Sequence, residues 1–224
     1  MYLRINLRIF IFIIIFFITK QIEFYAMLML FAFLHELGHL ACGVLLGFRL
    51  KSLTINPMGL AINFKINTED YNKSIKNGNK LALKKIIIAL CGPLVNFIIA
   101  LLFAKFNFSL FNFSRENIIY ANILIALFNL IPIYPLDGGR IIKNALHILI
   151  GLEPANTKTN NISGISVIVI TVIASFGILY LKNIAILFIV IYLWYLVIQE
   201  NKMMSQRNRI MRILKNKKIK SLKT

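Results

Sequence analysis

The sequence predicts an all-α protein that crosses a membrane several times, and three observations place it in that class. Hydrophobic residues make up 58% of the 224 residues and charged residues only 15%, which is more apolar than a soluble domain of this size tolerates. Lys and Arg number 26 against 8 Asp and Glu, and they lie between and after apolar runs, as the basic residues of cytoplasmic loops do. Both cysteines lie inside apolar runs, which excludes a disulfide-stapled secreted domain. We therefore expect the positive charge to meet anionic lipid, with no nucleic-acid partner.

Six apolar stretches are the candidate spans, because a helix needs about 20 mostly apolar residues to cross the bilayer. They comprise residues 4–20, 25–47, 84–104, 117–135, 163–181 and 184–199. The first is short, and we expect it to be retained as a helix, since no small-residue cleavage site of a signal peptide follows it. With both termini in the cytoplasm, most Lys and Arg residues fall inside. The positive-inside rule therefore favours six spans with both ends cytoplasmic.

The segment between the second and third stretches has the pattern of a β-hairpin. Residues 52–66 alternate apolar and polar side chains on both sides of Asn-Pro-Met-Gly at residues 56–59, as two short strands do. A cytoplasmic turn packed on the helix ends and an element dipping into the membrane both fit this pattern. Residues 67–80 are rich in Asn and Lys, as a linker is. Residues 201–224 form a basic tail that can fold as an amphipathic helix on anionic lipid.

The second stretch contains the sequence HELGH at residues 35–39. Two histidines four positions apart project from one face of a helix and can bind one tetrahedral metal ion. Glu36 lies beside them and can take a proton from a water on that ion, which is the chemistry of the H-E-x-x-H signature. The alternative is that His35, Glu36 and His39 only form hydrogen bonds between helices. A site is favoured, because ionisable side chains at membrane depth are costly and are functional by default.

A catalytic metal with two histidine ligands needs a third protein ligand and an open fourth position. Most acidic residues outside the motif fall in loops or at membrane edges, but Asp137 directly follows an apolar run, residues 118–136. Two prolines just before Asp137 break a regular helix, and the two glycines after it permit close backbone approach. Asp137 could instead cap a helix over residues 138–149, with Arg140 as its partner. The spacing alone leaves both roles open.

Three motifs occur in order along the chain: HELGH at residues 35–39, GPLVN at residues 92–96 and NLIPIYPLDGGR at residues 129–140. Together they resemble the motifs of the site-2 protease family of intramembrane zinc metalloproteases. The resemblance covers residues 25–150 and implies a core of three helices, here the second to fourth stretches. It also implies a Zn²⁺ ion held by His35, His39 and Asp137, with Glu36 as the catalytic base.

The same resemblance implies a substrate that enters as a transmembrane helix and unwinds locally, because a helical carbonyl is hydrogen-bonded and shielded from water. The hairpin of residues 52–66 is a candidate edge on which extended substrate could pair by strand addition. An amide of Asn96 or Asn129 could bind the substrate by stabilising the oxyanion. A hydrogen bond between helices is an equally good role for either asparagine.

Within that family the chain most resembles the sporulation type, the stage IV FB protease, which processes the membrane-associated precursor of σK (pro-σK). Residues 1–200 would form the protease domain. No stretch is long enough for a PDZ domain, and the short basic tail stands where a CBS domain is expected. The resemblance further implies inhibitory membrane partner proteins and a bacterial cell membrane.

Two alternatives to processing of a sigma factor precursor remain at this point. The substrate could be an anti-sigma factor or remnant signal peptides. The function could instead be non-proteolytic, as a membrane ion or proton transporter whose buried His, Glu and Asp line the path. Such a path usually needs further polar residues on neighbouring spans, and the last two stretches offer mainly Ser and Thr.

Overall fold

The chain divides into two compact units, Met1–Leu130 and Ile131–Thr224. The computed structural model describes residues 2–5, 8–18, 20–56, 59–65, 74–106, 113–181 and 185–221. The first unit contains β1 (Tyr2–Ile5), α1 (Arg8–Ile18), α2 (Ile22–Leu45), β2 (Arg49–Asn56), β3 (Gly59–Lys65), α3 (Ile75–Lys105) and α4 (Arg115–Leu130). The second unit contains α5 (Asp137–Ile150), α6 (Leu152–Leu181) and α7 (Ala185–Ser221).

Helices α2, α3 and α4 pack against one another and form the core of the first unit. The centre of that core is a cluster of buried apolar side chains, namely Met27, Phe31, Ile118, Ala121 and Ile125. Helices α2 and α3 approach closely at Gly38, where a Cβ would lie 3.0 Å from the carbonyl oxygen of Cys91. The three-helix core expected for the second to fourth stretches is therefore confirmed.

Four helices among the described residues are long and apolar enough to cross a membrane. They are Ile22–Leu45, Ile75–Lys105, Leu152–Tyr180 and Ile186–Gln206. Many large apolar side chains on these helices are exposed, for example Leu94 and Leu101 on α3, as lipid-facing residues are. The chain is therefore an integral membrane protein, and the expected all-α membrane class is confirmed.

Two of the six expected spans are shorter in the structure. The stretch at residues 4–20 divides into β1 and an 11-residue helix, because its first residues pair with a sheet instead of extending the helix. The stretch at residues 117–135 ends as a helix at Leu130, since the prolines that follow lack a backbone donor. At 1.5 Å per residue these helices measure about 16 Å and about 24 Å. Neither reaches across a hydrocarbon core of about 30 Å as a helix.

The predicted hairpin is confirmed, and an unexpected third strand extends it into a sheet of order β1-β2-β3. β2 and β3 are antiparallel, with Asn56 opposite Gly59 next to the turn; the turn itself, residues 57–58, lies outside the described residues. β1 pairs in parallel with β2, with Tyr2 opposite Ser52. The N-terminal segment therefore lies beside the hairpin.

An aromatic contact holds the sheet against the end of α2. Phe64 of β3 lies over Gly43, where a Cβ would lie 2.8 Å from a ring carbon of Phe64. The ring of Phe48 packs on Phe64 with 5.9 Å between centroids. Lys84 on α3 donates a hydrogen bond to the carbonyl oxygen of Leu46 at 2.9 Å, which satisfies one of the last carbonyls of α2. Gly43 lies one helical turn after His39, so the sheet is fixed close to the HELGH sequence.

The linker expected at residues 67–80 is shorter than predicted. α3 begins at Ile75, and the side chain of Ser74 accepts a hydrogen bond from the backbone N–H of Lys76 at 3.1 Å. This N-cap allows the Asn- and Lys-rich residues 75–80 to form the first turns of α3. The rest of the expected linker, residues 67–73, lies outside the described residues.

In the second unit α6 packs against both α5 and α7. Gly151, with a φ of 85°, makes the turn from α5 into α6, a conformation that glycine adopts without steric cost. Trp194 on α7 donates its Nε1–H to Oγ1 of Thr171 on α6 at 3.0 Å. α7 is 37 residues long, or about 55 Å, and its last part is the basic tail. The predicted helix in the tail is thus part of the last spanning helix.

Candidate metal centre

His35 and His39 place their ring Nε2 atoms side by side inside the first unit. Both side chains are buried on one face of α2, with 2% and 3% of their surface exposed. The two Nε2 atoms are 3.1 Å apart. Nitrogens bound to one zinc ion at about 2.0–2.1 Å in a tetrahedral site lie about 3.3 Å from each other. The pair therefore has nearly the separation that a shared metal ion requires.

A hydrogen bond fixes the opposite edge of each ring. Nδ1 of His39 lies 2.7 Å from the backbone carbonyl oxygen of Ile88 on α3. Nδ1 of His35 lies 2.6 Å from the amide oxygen of Asn96 on the same helix. These oxygens accept hydrogen bonds, so each Nδ1 carries its ring proton. Metal-ligating histidines are held in this way, with the second nitrogen bonded to an oxygen acceptor.

The residues at this site fit a zinc ion. With the ring proton on Nδ1, the Nε2 atoms of His35 and His39 turn lone pairs toward the same point, as two nitrogen ligands of one metal ion do. A cation satisfies both lone pairs. Space for it exists because residue 92 on α3 is glycine, where a Cβ would lie 2.6 Å from Nε2 of His35.

Glu36 is half-buried on α2, directly after His35. The helix is continuous from Ile22 to Leu45, so the HELGH residues have the helical spacing that the sequence predicts. That spacing puts a carboxylate next to the histidine pair on the same turn. Glu36 therefore lies where the H-E-x-x-H pattern has its general base.

Asp137 is buried at the start of α5 in the second unit, with 3% of its surface exposed. It is the first residue of the helix, and Leu136 occupies the N-cap position. The alternative prediction, in which Asp137 caps a helix that starts after it, therefore does not describe this helix. Oδ1 of Asp137 lies 3.4 Å from Nη1 of Arg140, which is long for a charge-assisted hydrogen bond.

Gly139 lets the loop before α5 fold back on the first turn of the helix. A Cβ at Gly139 would lie 2.6 Å from the carbonyl oxygen of Ile133, which confirms the close backbone approach predicted from the paired glycines. The backbone N–H of Tyr134 donates to Oγ of Ser163 on α6 at 2.9 Å. The loop that leads into Asp137 is therefore tied to both α5 and α6.

The two asparagines considered for oxyanion binding differ in their surroundings. Asn96 is 0% exposed, and its amide oxygen is bonded to His35. Asn129 is half-buried in the last turn of α4 and donates Nδ2–H to the carbonyl oxygen of Ile125 at 3.0 Å. A third asparagine, Asn122, is 0% exposed and bonds to Asn96. Asn122 lies in none of the three motifs, and the one signal for it in the sequence is that it is a polar residue inside an apolar stretch.

These features define a class of protein: an integral membrane protein with an H-E-x-x-H metal centre in a spanning helix. The chain belongs to peptidase family M50, whose family model matches residues 23–115 and 109–174. The family resemblance seen in the three sequence motifs is therefore confirmed.

Two curated relatives and one solved structure are similar to the chain. A zinc metalloprotease of Methanocaldococcus jannaschii is 29% identical over 211 residues, which cover 90% of this chain and 56% of the relative. Stage IV sporulation protein FB of Bacillus subtilis is 26% identical over 129 residues, 56% of this chain and 41% of the relative. The chain thus spans about half the length of these relatives. The site-2 protease structure from Methanocaldococcus jannaschii has the same fold, with a TM-score of 0.63 at 22% identity over 88% of this chain and 89% of that chain.

Proposed function

We propose that this chain is an intramembrane zinc endopeptidase that cleaves a membrane-associated protein. The observation that carries the proposal is the pair of Nε2 atoms of His35 and His39, 3.1 Å apart, on a helix of spanning length with Glu36 beside them. Membership of peptidase family M50 supports peptide hydrolysis. A relative named as a zinc metalloprotease supports zinc as the metal.

His35, His39 and Asp137 would be the three protein ligands of the zinc ion. A carboxylate oxygen is an ordinary zinc ligand, and three protein ligands leave the fourth position open for water or substrate. Burial of a carboxylate is costly unless it is paired or bound to a metal; Asp137 is buried, and Arg140 pairs with it at 3.4 Å, so a metal ion would add to this pairing. Its position in the motif at residues 129–140 gives the same assignment by family resemblance.

The chemistry of the site follows from these groups. Bound zinc would polarise the scissile carbonyl and acidify a water molecule. Glu36 would accept the proton of the attacking water and pass it to the leaving nitrogen. Of the two candidate asparagines, Asn129 is better suited to donate to the oxyanion, because it is half-buried and uses one of its two Nδ2 hydrogens for Ile125, whereas Asn96 is 0% exposed.

β3 is the proposed docking edge for an unwound substrate. Within the described sheet β2 lies between β1 and β3, so β3 has one edge turned away from β2. β3 also packs on α2 at Gly43 through Phe64, one helical turn after His39. A substrate that added a strand to β3 would have its backbone extended and hydrogen-bonded beside the metal centre.

The proposed substrate is the membrane-associated precursor of σK. The support is the similarity to stage IV sporulation protein FB together with the motif at residues 129–140. An anti-sigma factor or remnant signal peptides are the other substrates of the same chemistry. We also propose inhibitory membrane partner proteins, by family resemblance, and a bacterial cell membrane with both termini in the cytoplasm. The basic end of α7 would then contact anionic lipid.

The test is co-expression of the full chain with a tagged σK precursor, comparing wild type with Glu36→Gln. General-base catalysis contributes about 10²–10⁴-fold in rate, so Glu36→Gln should abolish visible product on an immunoblot. Because the ligands are unchanged, the purified variant should retain as much zinc as wild type, measured by atomic absorption. Glu23→Gln is the matched control, since Glu23 is an exposed carboxylate in the first turn of the same helix.

Cleavage by Glu36→Gln would refute the role of Glu36 as the base. Purified wild type without zinc would refute the metal centre. Zinc binding without cleavage of pro-σK, of an anti-sigma factor or of a signal peptide would favour the ion or proton transporter instead. Cleavage of another membrane substrate would keep the peptidase and replace only the substrate assignment.

A further inference from the structure

A chain of three hydrogen bonds crosses the core of the first unit and ends at His35. On α4, Asn122 donates Nδ2–H to the carbonyl oxygen of Ile118 at 2.9 Å. Asn96 on α3 donates Nδ2–H to Oδ1 of Asn122 at 2.8 Å. Oδ1 of Asn96 then lies 2.6 Å from Nδ1 of His35 on α2. Both asparagines are 0% exposed, so protein atoms have to satisfy their amide groups.

The direction of this chain is set at its α4 end. The carbonyl oxygen of Ile118 can only accept, so the amide nitrogen of Asn122 must face it. That leaves Oδ1 of Asn122 facing Asn96, and Asn96 must turn its nitrogen toward it. The amide oxygen of Asn96 consequently faces His35, and Nδ1 of His35 must carry the proton. Reversing the amides would put two carbonyl oxygens against each other at Ile118.

The two histidines differ in how their tautomer is fixed. His39 bonds directly to a backbone carbonyl, that of Ile88, which no side-chain substitution removes. His35 bonds to an amide that could present either its oxygen or its nitrogen. With Asn96 reversed, His35 would have to accept at Nδ1 and carry its proton on Nε2, the nitrogen that faces His39. A metal ion cannot bind a protonated Nε2.

We propose that Asn122, acting through Asn96, is a positioning residue that keeps Nε2 of His35 open to the metal ion. Asn122 lies outside the three motifs of the family and among apolar core residues such as Ala121 and Ile125. Its role is to orient the amide of Asn96. Asn96 is then a positioning residue as well, because its amide oxygen bonds to His35, its amide nitrogen donates to Asn122, and the side chain is 0% exposed.

The first experiment compares Asn122→Thr with Asn122→Val. The two replacement side chains have nearly the same shape, but only threonine has a hydroxyl. Thr159 and Thr171 already donate to the carbonyl four residues earlier at 2.7 Å. In Asn122→Thr the new hydroxyl can donate to Ile118 in the same way and still accept from Asn96. Valine has no acceptor for the amide nitrogen of Asn96, so the Asn96 amide can rotate.

The tautomer of His35 is read in the full-length, metal-free protein in detergent, labelled with ¹⁵N-histidine. Protonated and bare ring nitrogens have well-separated ¹⁵N shifts, and the chain has only 3 histidines, so assignment is practical. Wild type and Asn122→Thr should show the proton of His35 on Nδ1. Asn122→Val should show a fraction of His35 with the proton on Nε2, while His39 stays unchanged. Zinc affinity, measured by competition with a chelator, should fall about 10–100-fold in Asn122→Val only, as for other changes behind a metal ligand.

Asn122→Asp separates the orientation of the Asn96 amide from the stability of the protein. It also keeps the test possible if Asn122→Val does not fold. A carboxylate at residue 122 still accepts from Asn96, so the His35 tautomer should remain that of wild type even if the melting temperature falls. A proton on Nε2 of His35 in the Thr or Asp variant would overturn the proposal. So would an unchanged tautomer and zinc affinity in Asn122→Val, or equal losses of affinity in the Thr and Val variants.

The inference rests on the proposed zinc site, but its tautomer measurement needs neither zinc nor peptidase activity. Wild type that binds zinc and cleaves nothing would refute the proposed function and leave the tautomer result standing. Cleavage by wild type, together with an unchanged His35 tautomer in Asn122→Val, would support the proposed function and refute the role of Asn122.

Discussion

The space for a metal ion beside His35 and His39 exists because residue 92 is glycine and has no side chain. Any residue at position 92 other than glycine would place its Cβ 2.6 Å from Nε2 of His35. The histidine rings cannot move away easily, because the opposite edge of each is bonded to Asn96 or Ile88. One methyl group at this position therefore competes directly with the ion.

Gly92→Ala should consequently give a folded protein that does not bind zinc. Alanine is favoured over glycine inside a helix by about 1 kcal/mol, so helix content measured by circular dichroism should be kept. Zinc content of the purified protein should fall to background. Gly78→Ala is the matched control on the same helix, since nothing lies within 4 Å of a Cβ there. Wild-type zinc content in Gly92→Ala would show that the ion does not bind between these rings.

Asp137 carries the second prediction at this scale. Asp137→Asn removes the negative charge of the proposed third ligand and should weaken zinc binding by more than about 100-fold, beyond the effect of losing a group behind a ligand. The measurement is chelator competition, with thermal unfolding of the metal-free protein beside it. Glu153→Gln, an exposed carboxylate in the first turn of α6, should leave zinc affinity unchanged. Lower stability with unchanged affinity would instead mean that Asp137 only serves the helix dipole.

Among the secondary-structure elements, the sheet approaches α2 closely at Gly43. The ring of Phe64 occupies the space that a Cβ of Gly43 would need. The sheet cannot approach α2 this closely with any other residue at position 43. The contact therefore ties β3 to the helix that carries His35 and His39.

Gly43→Ala should loosen the sheet without disturbing the helical core. Overpacking of this kind costs about 1–3 kcal/mol, and the backbone amides of β3 should exchange with deuterium faster than in wild type while those of α3 do not. Phe64→Val should restore slow exchange in the Gly43→Ala background, because the smaller side chain leaves room for the methyl group. Gly164→Ala on α6 is the control, with nothing within 4 Å of its Cβ. Unchanged exchange in β3 would show that this contact does not hold the sheet.

At the scale of the whole molecule, the fold permits a sharp test of orientation in the membrane. α3 has 31 residues and a length of about 46 Å, so its two ends must lie on opposite sides of a bilayer core of about 30 Å. The positive-inside rule predicts that its first turns lie in the cytoplasm. Because β1 pairs with β2, the N-terminal segment should lie on the same side as the hairpin.

Single cysteines at Asn77 and Asn117, in a background with Cys42 and Cys91 changed to Ala, test this orientation. In intact cells a membrane-impermeant maleimide should label Asn117→Cys and not Asn77→Cys. Permeabilised cells should show labelling at both positions, which controls for accessibility. Labelling of Asn77→Cys alone in intact cells would reverse the predicted orientation.

The sequence predicted those parts of the structure that depend on local spacing. The histidine pair follows from the helical period, and the hairpin of β2 and β3 follows from alternation of side chains. β1 was missed because its four residues run into the apolar stretch behind them, and only pairing with a distant strand makes them extended. Asn122 was missed because its function depends on which side chains of α2 and α3 meet it, and spacing along one helix carries no such information.

The proposed docking of substrate on the edge of β3 that is turned away from β2 has a consequence for where that substrate would be cut. Successive residues of an added strand point to opposite faces and bond to the edge alternately. A substrate that slips along β3 by one residue must turn all its side chains over, whereas a slip of two residues, about 6.6 Å, restores the same pairing. The edge would thus allow a substrate to bind only in positions that differ by two residues along its chain. Secondary cleavage products of one substrate should differ in length by even numbers of residues, a parity that mass spectrometry of the products can read directly.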